Sequence, residues 1–273
     1  MSDRRLTPMN DRVVRADWPD PAPGRARVEG AAAQVVVPLV DLCRAPNGAR
    51  DRQLLLGDGL RVLERRAGWA FVQADKDGYV GYVPDGALGT ASTPTHWVSA
   101  PATHIYPAPD FKQAERMMLS LGARLTVIGD SERFFETPQG FVPRDHLRKL
   151  ADWDSDPVAV AARLLGTPYL WGGNSRSGID CSGLVQAAML ACGVDCAGDS
   201  DMQEDGLGHE VTDGSGYRYG DLLFWKGHVG LVAGDTLLHA NAGFMSTVHE
   251  PLEAAIRRIR DQGDGEVTRH RRV

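Results

Sequence analysis

The sequence predicts an α+β protein in which two small all-β barrels precede a mixed α+β domain. Three observations support this fold class. An internal repeat has the residue pattern of β-strands, the pattern changes to that of helices from Asp152, and closely spaced short strands are predicted after residue 220. The apolar share of 42% over 273 residues suffices for packed cores. We expect an extended N-terminal arm (1–30), a first barrel (31–92), a second barrel (93–151) and the mixed domain (152–273).

The first 30 residues combine prolines with many charges, which indicates an arm that wraps the body or stays mobile. Beyond it, Gly81-Tyr82-Val83-Pro84 is echoed by Gly140-Phe141-Val142-Pro143, among other short motifs that recur in the same order. Two copies of one unit explain this echo. Runs that mix apolar with β-branched or aromatic residues predict barrel strands at 59–63, 69–73, 124–128 and 133–137.

Two helices are predicted at the start of the mixed domain. Asp156 can cap the first, with Pro157 at its first position and Gly166 after its end. The second is predicted from Cys181 to Cys192 and closes on Gly193. Because unpaired N–H groups at a helix N-terminus favour an anion, this position promotes Cys181 as a thiolate, the nucleophilic form of cysteine.

The remainder of the domain is predicted to be mainly β. Residues 221–225, 228–233 and 236–240 have the pattern of three strands, with two-residue turns at Lys226-Gly227 and Gly234-Asp235. The polar, glycine-rich span 195–219 has no assignment. A helix over 251–259 and a last strand over 266–270 follow, and the basic run 269–272 is expected to be a solvated tail.

The second turn fixes a register that brings two histidines together. If Ala233 pairs with Thr236, His228 and His239 are diagonal neighbours on one face of the sheet, and we expect Gly230 to leave the space between the imidazoles open. This is the geometry of a general base and the residue that orients it. Asn241 lies directly across from His228 in this register, so the residues alone allow either His239 or Asn241 as orienter.

These residue types suit acyl transfer. Cys181 would attack a carbonyl as thiolate, and His228 would hold the thiol proton and deliver it to a leaving amine. The backbone N–H of Cys181 is a candidate oxyanion donor. This chemistry requires no metal or cofactor, and Cys192, Cys196 and His209 lack the fourth ligand of a zinc site.

Three sequence blocks carry a family resemblance. Residues 166–173 (GTPYLWGG), running into 178–186 (GIDCSGLVQ), resemble the signature of the NlpC family of papain-like cell-wall cysteine peptidases. Residues 220–225 with 228–230, and 238–240, resemble that family's second and third blocks, and the paired barrels resemble bacterial SH3-like domains. The resemblance implies a papain-like catalytic domain with Cys181 as nucleophile, His228 as base and His239 as third catalytic residue.

The resemblance also implies a substrate. Members that recycle murein peptides cleave the amide between γ-linked D-glutamate and the following diamino acid, meso-diaminopimelate or lysine. By position, Asp180, Ser182 and Tyr169 would hold the free amine of an N-terminal L-Ala, although Asp180 can also cap the Cys181 helix. A tyrosine of the first barrel closes this pocket in relatives. Tyr79 is the first choice here and Tyr82 the second.

Composition limits the other function classes. The net charge of −6 and the pI near 5.7 argue against nucleic acid or an anionic membrane as main partner. Residues 1–22 lack the apolar core of a secretory signal, and four irregularly spaced cysteines indicate free thiols. We therefore expect a cytoplasmic, monomeric enzyme without cofactor that acts on small murein peptides. The rivals are a silent murein-peptide-binding protein and an amidase or acyltransferase on the same fold.

Overall fold

The computed structural model describes residues 3–212 and 214–273. The chain divides into two compact units. The first runs up to Val98 and includes Ala102–Leu150, and the second comprises Ser99–Pro101 and Ala151–Val273. The arm, the first barrel and most of the second barrel thus lie in the first unit, and the mixed domain forms the body of the second. In the described part of the chain, no helix has the length and apolar character needed to cross a membrane.

The N-terminal arm packs on the first barrel. Its strands β1 (Val13–Arg15) and β2 (Ala26–Val28) form a parallel pair. Val13 joins an apolar cluster with Leu63, Phe71 and Val80 of the barrel. Of the two expectations for this segment, wrapping is the one observed for the described residues.

The first barrel is a seven-stranded antiparallel sheet. Its strands pair in the order β5-β4-β8-β7-β6-β3-β9. A tight turn at Ala67 and Gly68, both with positive φ, joins the paired strands Gly59–Arg66 and Trp69–Ala74. The strands are β3 (Ala31–Val35), β4 (Leu39–Cys43), β5 (Arg50–Leu55), β6 (Gly59–Arg66), β7 (Trp69–Ala74), β8 (Val80–Pro84) and β9 (Leu88–Thr90).

The second barrel consists of three small antiparallel sheets, ordered β13-β10-β17, β11-β12 and β14-β15-β16. Leu55 and Leu56 of the first barrel share its apolar core with Val98, Leu119 and Leu125. The strands are β10 (His96–Val98), β11 (Ala102–Ile105), β12 (Met117–Ser120), β13 (Arg124–Leu125), β14 (Gly129–Asp130), β15 (Phe134–Thr137), β16 (Gly140–Pro143) and β17 (Leu147–Lys149).

The repeated motif has the same structure in both barrels. The strand Gly81 to Pro84 leads into a 3-10 turn at Asp85–Ala87, as Gly140–Pro143 leads into one at Arg144–His146. Both prolines cap these turns with nearly equal dihedral angles. This part of the predicted repeat therefore has the same local structure in both copies. The strand predicted over 124–128 was too long, because the chain leaves the ladder after Leu125.

In its described residues, the second unit has a six-stranded antiparallel sheet, ordered β20-β25-β21-β22-β23-β24, and four α-helices. Its elements are α1 (Pro157–Ala162), β18 (Asn174–Ser175), β19 (Gly178–Ile179), α2 (Cys181–Ala191), α3 (Ser200–Gly206), β20 (His209–Glu210), β21 (Leu222–Trp225), β22 (His228–Ala233), β23 (Thr236–Asn241), β24 (Ser246–Pro251), α4 (Leu252–Ile259) and β25 (Arg269–Arg272). Trp225, Val232 and Leu237 pack with Ala255 and Ile259 of α4.

Most elements of this unit match the sequence prediction. Asp156 caps α1 with Pro157 at its first position, although α1 ends at Ala162. The helix from Cys181 and the three strands with their two glycine turns are confirmed. The unassigned span contains α3 and β20, and β24 was not predicted.

The prediction for the C-terminus was wrong. The last strand is Arg269–Arg272 rather than 266–270, and this basic run is not a solvated tail. Arg272 makes two hydrogen bonds of 2.7 Å to the buried carboxylate of Asp221, which also binds His270. The buried Arg271 guanidinium donates to backbone carbonyls that include those of Glu204 and Gly208. Specific acceptors in the fold therefore order this strand.

Candidate active site

The first component of the site is the start of α2, where Asp180 is the N-cap. Its Oδ1 accepts hydrogen bonds from the Gly183 N–H (2.6 Å) and the Ser182 hydroxyl (3.2 Å), and its Oδ2 accepts one from the Gly172 N–H (2.8 Å). The capping role considered for Asp180 is thus confirmed. This buried carboxylate fixes both the helix start and the preceding loop.

Cys181 is the first residue of α2 and is 7% exposed. Its Sγ lies 4.0 Å from the carbonyl oxygen of Gly227, which immediately precedes His228. Gly227 occupies the turn between β21 and β22 with a φ of 77°, a conformation that glycine adopts without strain. The start of α2 and this turn therefore meet, which brings the candidate nucleophile next to the strand that begins with the candidate base.

The second component is a pair of histidines. Nε2 of His228 lies 2.9 Å from Nδ1 of His239, and the two rings meet edge to face. The observed pairing of Ala233 with Thr236 is the register that placed them side by side. Nε2 of His228 is therefore the nitrogen that faces His239, and Nδ1 is the other nitrogen of that ring. A Cβ at Gly230 would meet the Leu237 side chain at 2.8 Å, so this strand position has no room for a side chain.

Three further side chains lie behind His239. Nε2 of His239 is 3.0 Å from Asn241 Nδ2 and 3.2 Å from a carboxylate oxygen of Glu250. Glu250 is in turn bound by Arg258 of α4 through two hydrogen bonds of 2.8 and 2.6 Å. His239 is therefore the side chain that contacts His228, and Asn241 contacts the other ring nitrogen of His239.

The environment disfavours protonation of both imidazoles. Burial lowers the pKa of His228, and the neighbouring His239 and the Arg258 cation lower it further, whereas Glu250 raises it. Burial and Arg258 likewise lower the pKa of His239. Both rings are accordingly neutral at neutral pH. A neutral imidazole can accept a proton from a thiol, which is the state that a general base requires.

Comparison with known proteins identifies the family of this chain. The NlpC/P60 family matches residues 166–257, and the bacterial dipeptidyl-peptidase Sh3 domain matches residues 42–88. A γ-D-glutamyl-L-lysine dipeptidyl-peptidase of Bacillus subtilis (strain 168) is 30% identical over 220 residues, which cover 69% of this chain and 71% of the relative. The chain belongs to the NlpC/P60 family.

Two further similarities agree with this assignment. Dipeptidyl-peptidase 6 of Lysinibacillus sphaericus is 45% identical over 87 residues, and this match spans 32% of each chain. The crystal structure of an NlpC/P60 family protein from Bacillus cereus ATCC 10987 superposes with a TM-score of 0.74 at 21% identity, over 89% of this chain and 99% of that chain. At this identity the superposition supports the fold, which is an NlpC/P60 papain-like domain with an N-terminal SH3 domain.

Tyr169 lies in the same environment as Cys181. Burial raises the pKa of its hydroxyl, and Cys181 and Asp180 raise it further. These contributions require both groups to be near the phenol. The backbone N–H of Tyr169 donates to the carbonyl of Met245 (3.0 Å), which ties its loop to the turn between β23 and β24. Tyr169, Asp180 and Ser182 therefore cluster around Cys181.

The two tyrosines considered in the first barrel differ in their surroundings. Tyr79 directly precedes β8 and is 1% exposed, and its N–H donates to Asp77. The Tyr82 ring packs 5.1 Å from Phe71 beside the N-terminal arm. The role of Tyr79 in amine binding stays a prediction.

Sequence reasoning missed Glu250 and Arg258. Glu250 lies on β24, the unpredicted strand, and Arg258 lies on the helix after it. A glutamate and an arginine that are eight positions apart in the sequence do not by themselves indicate a functional site. Among the described residues, no group of three or more His, Cys, Asp or Glu side chains is placed to hold a metal ion.

Proposed function

We propose that this protein is a cysteine peptidase that hydrolyses the γ-D-glutamyl–diamino acid amide of murein peptides with a free N-terminal L-Ala. The observation that carries the proposal is the meeting of Cys181, at the first position of α2, with the turn that leads into the His228–His239 pair. The similarity to the γ-D-glutamyl-L-lysine dipeptidyl-peptidase of Bacillus subtilis supports the γ-D-glutamyl specificity.

The proposed reaction has two steps. In the first, Cys181 transfers its proton to Nδ1 of His228, and its sulfur bonds to the γ-carbonyl carbon of D-glutamate. The tetrahedral intermediate collapses as His228 protonates the departing amine of the diamino acid, and a thioester remains. In the second step, His228 takes a proton from water, the hydroxide attacks the thioester, and L-Ala-D-Glu leaves as Cys181 regains a proton.

Electrostatic stabilisation would come from the helix start. The first N–H groups of any α-helix lack intrahelical acceptors, so the Cys181 N–H can donate to the oxyanion of the tetrahedral intermediate. Asp180 fixes the position of these groups as the N-cap. The partial positive charge of the helix N-terminus also favours the thiolate over the thiol.

Recognition of the substrate amine would use the cluster of Tyr169, Asp180 and Ser182. Asp180 supplies negative charge, and an ammonium group gains a charge-assisted hydrogen bond from such a carboxylate. A substrate without that cation cannot form this charge-assisted hydrogen bond, which disfavours acylated peptides. In intact murein the L-Ala amine is acylated, so we place the reaction in the recycling of detached peptides, in the cytoplasm.

The test is hydrolysis of L-Ala-γ-D-Glu-meso-diaminopimelate and of its L-lysine analogue, with products identified by mass spectrometry. We expect release of L-Ala-D-Glu by the full chain and none by Cys181→Ala. Cys192→Ala, at the opposite end of the same helix, is the matched control and should retain activity. Turnover by Cys181→Ala, or a product cut at another bond, would overturn the proposal.

A second substrate tests the amine recognition alone. The N-acetylated tripeptide has the same scissile amide but no cation, so we expect a value of kcat/KM lower by about 10- to 100-fold, the range in which one charged hydrogen bond acts. Equal values for the free and acetylated peptides would contradict the role of Asp180 while leaving the mechanism at Cys181 intact.

A further inference from the structure

Glu250 makes contacts that a surface ion pair would not. Its side chain is 8% exposed, and one of its oxygens lies both 2.6 Å from Arg258 Nη2 and 3.2 Å from Nε2 of the fully buried His239. The other oxygen accepts from Arg258 Nε at 2.8 Å. The guanidinium thus holds the carboxylate in one orientation, with one oxygen directed at the imidazole.

The same imidazole nitrogen faces a competing partner. Nδ2 of Asn241 lies 3.0 Å from His239 Nε2. The orientation of this amide is fixed, because the Phe244 N–H donates to Asn241 Oδ1 at 2.9 Å. A neutral histidine nitrogen either donates or accepts a hydrogen bond. His239 Nε2 can therefore carry a proton and donate to Glu250, or lack one and accept from Asn241, but not both.

The choice at this nitrogen determines where the proton of His228 resides. If His239 accepts from Asn241, its proton is on Nδ1 and is donated to His228 Nε2. Neutral His228 then carries its own proton on Nδ1 and cannot accept one from Cys181. If His239 donates to Glu250, its Nδ1 accepts from His228 Nε2–H. The lone pair of His228 then lies on Nδ1, where a general base needs it.

We propose that Glu250, held by Arg258, is a positioning residue that keeps His239 in the Nε2–H tautomer and thereby leaves Nδ1 of His228 able to accept the proton of Cys181. A carboxylate is the stronger acceptor because its hydrogen bond is charge-assisted, whereas the Asn241 amide offers a neutral donor. The kinetic consequence depends on the proposed peptidase function, but the tautomer itself can be measured without substrate.

The experiment combines nuclear magnetic resonance with kinetics on the full chain labelled with ¹⁵N-histidine. The ¹⁵N shifts of an imidazole distinguish its protonated from its unprotonated nitrogen. We expect His239 of the unchanged protein to be protonated at Nε2, and Glu250→Gln to shift the ring toward the Nδ1–H form. We expect kcat of that variant on the tripeptide to fall on the order of 10- to 100-fold with KM nearly unchanged, since general base catalysis contributes ~10²–10⁴.

Two further variants separate positioning from a structural contribution. In the double variant Glu250→Gln with Asn241→Asp, the new carboxylate can accept from His239 Nε2 while still accepting from the Phe244 N–H, so the Nε2–H tautomer and part of kcat should return. Asp154→Asn removes one partner of another bidentate carboxylate–arginine pair in the same unit, that with Arg163, and should change neither quantity.

An Nδ1–H tautomer of His239 in the unchanged protein would overturn the inference, whatever peptide the protein cleaves. An unchanged tautomer in Glu250→Gln would also overturn it. If no peptide is cleaved but Glu250→Gln shifts the tautomer, the positioning role stands and the proposed function fails. Should Glu250→Gln not fold, the measurement on the unchanged protein still decides between the two tautomers.

Discussion

Substitution of Asp180 by asparagine should destabilise the protein through one particular hydrogen bond. Both carboxylate oxygens accept from backbone N–H groups, Oδ1 from Gly183 and Oδ2 from Gly172. Asparagine offers only one oxygen, so in either orientation its NH₂ group faces a backbone N–H that can only donate. A buried donor left without an acceptor costs about 1–3 kcal/mol. We expect the free energy of unfolding of Asp180→Asn to fall by about that amount.

The chain contains a matched control at the start of α1. Oδ1 of Asp156 accepts from the N–H groups of Val158 and Ala159, and its Oδ2 accepts from the Tyr219 hydroxyl at 2.9 Å. In Asp156→Asn the remaining oxygen can still cap the helix, and the hydroxyl can turn to accept from the new NH₂ group. Because both substitutions remove one negative charge from a helix N-terminus, that electrostatic loss of about 0.3–1 kcal/mol is common to both.

The assay is urea denaturation of the two variants and the unchanged protein, with amide hydrogen exchange at Gly172 and Gly183 as a local measurement. Asp180→Asn should lose about 1–3 kcal/mol more than Asp156→Asn, and the exchange at one of the two glycines should accelerate. Equal losses for both variants, with unchanged exchange, would refute the hydrogen-bond argument.

Two more predictions concern charge in the second unit. Burial lowers the pKa of His228 and of His239 to about 3, so below about pH 6.5 the unfolded chain binds protons that the folded protein does not, and stability should decrease as the pH falls from 6.5 toward 3. For His239 alone, the free energy of unfolding at pH 5 should be about 2 kcal/mol lower than at neutral pH. In His239→Asn, the free energy of unfolding should depend less on pH by this amount. Asp221→Asn should lower the free energy of unfolding by roughly 3–5 kcal/mol, because Arg272 and His270 lose their buried anion. A melting temperature of Asp221→Asn equal to that of the unchanged protein would contradict this second prediction.

The histidine pair could be predicted from sequence because it depends on local turn chemistry. Gly227 and Gly234 both adopt positive φ in two-residue turns. Once such a turn is placed, the register of the hairpin follows by counting, and the side chains that share a face are determined. The position of Cys181 was predictable for a similar reason, since a capping residue and the apolar run after it mark a helix start.

The residues that support His239 could not be predicted, because β24 reverses the usual pattern of a strand. Its buried positions are the polar residues Thr247 and Glu250, whereas Val248 is half-buried. A strand is recognised by apolar residues at alternate positions, so buried polar residues three positions apart give the appearance of a loop. Local inconsistency of this kind is typical of functional sites, where polar groups are buried for chemical reasons.

The C-terminal strand was missed for a different reason. A run such as Arg269–Arg272 looks solvated when no partner is in view, and its partner Asp221 lies 49 to 51 positions away in the sequence. The sequence does not indicate that the carboxylate of Asp221 is buried beside the neighbouring strand. Pairing between distant charges depends on the sheet order, which is a tertiary property.

Glu250 and Arg258 should act on the base in opposite directions, which gives a final prediction. Among the described groups, Arg258 and His239 lower the pKa of His228 and Glu250 raises it. The acid limb of a pH profile of kcat/KM reports the pKa of the essential base in the free enzyme. Glu250→Gln removes the negative charge and should move this limb to lower pH, whereas Arg258→Met removes the positive charge and should move it to higher pH. Because the pKa of His228 is about 3, steady-state rates on the tripeptide are measured from pH 8 to below pH 3. Shifts in the same direction would show that the two side chains act through packing rather than charge.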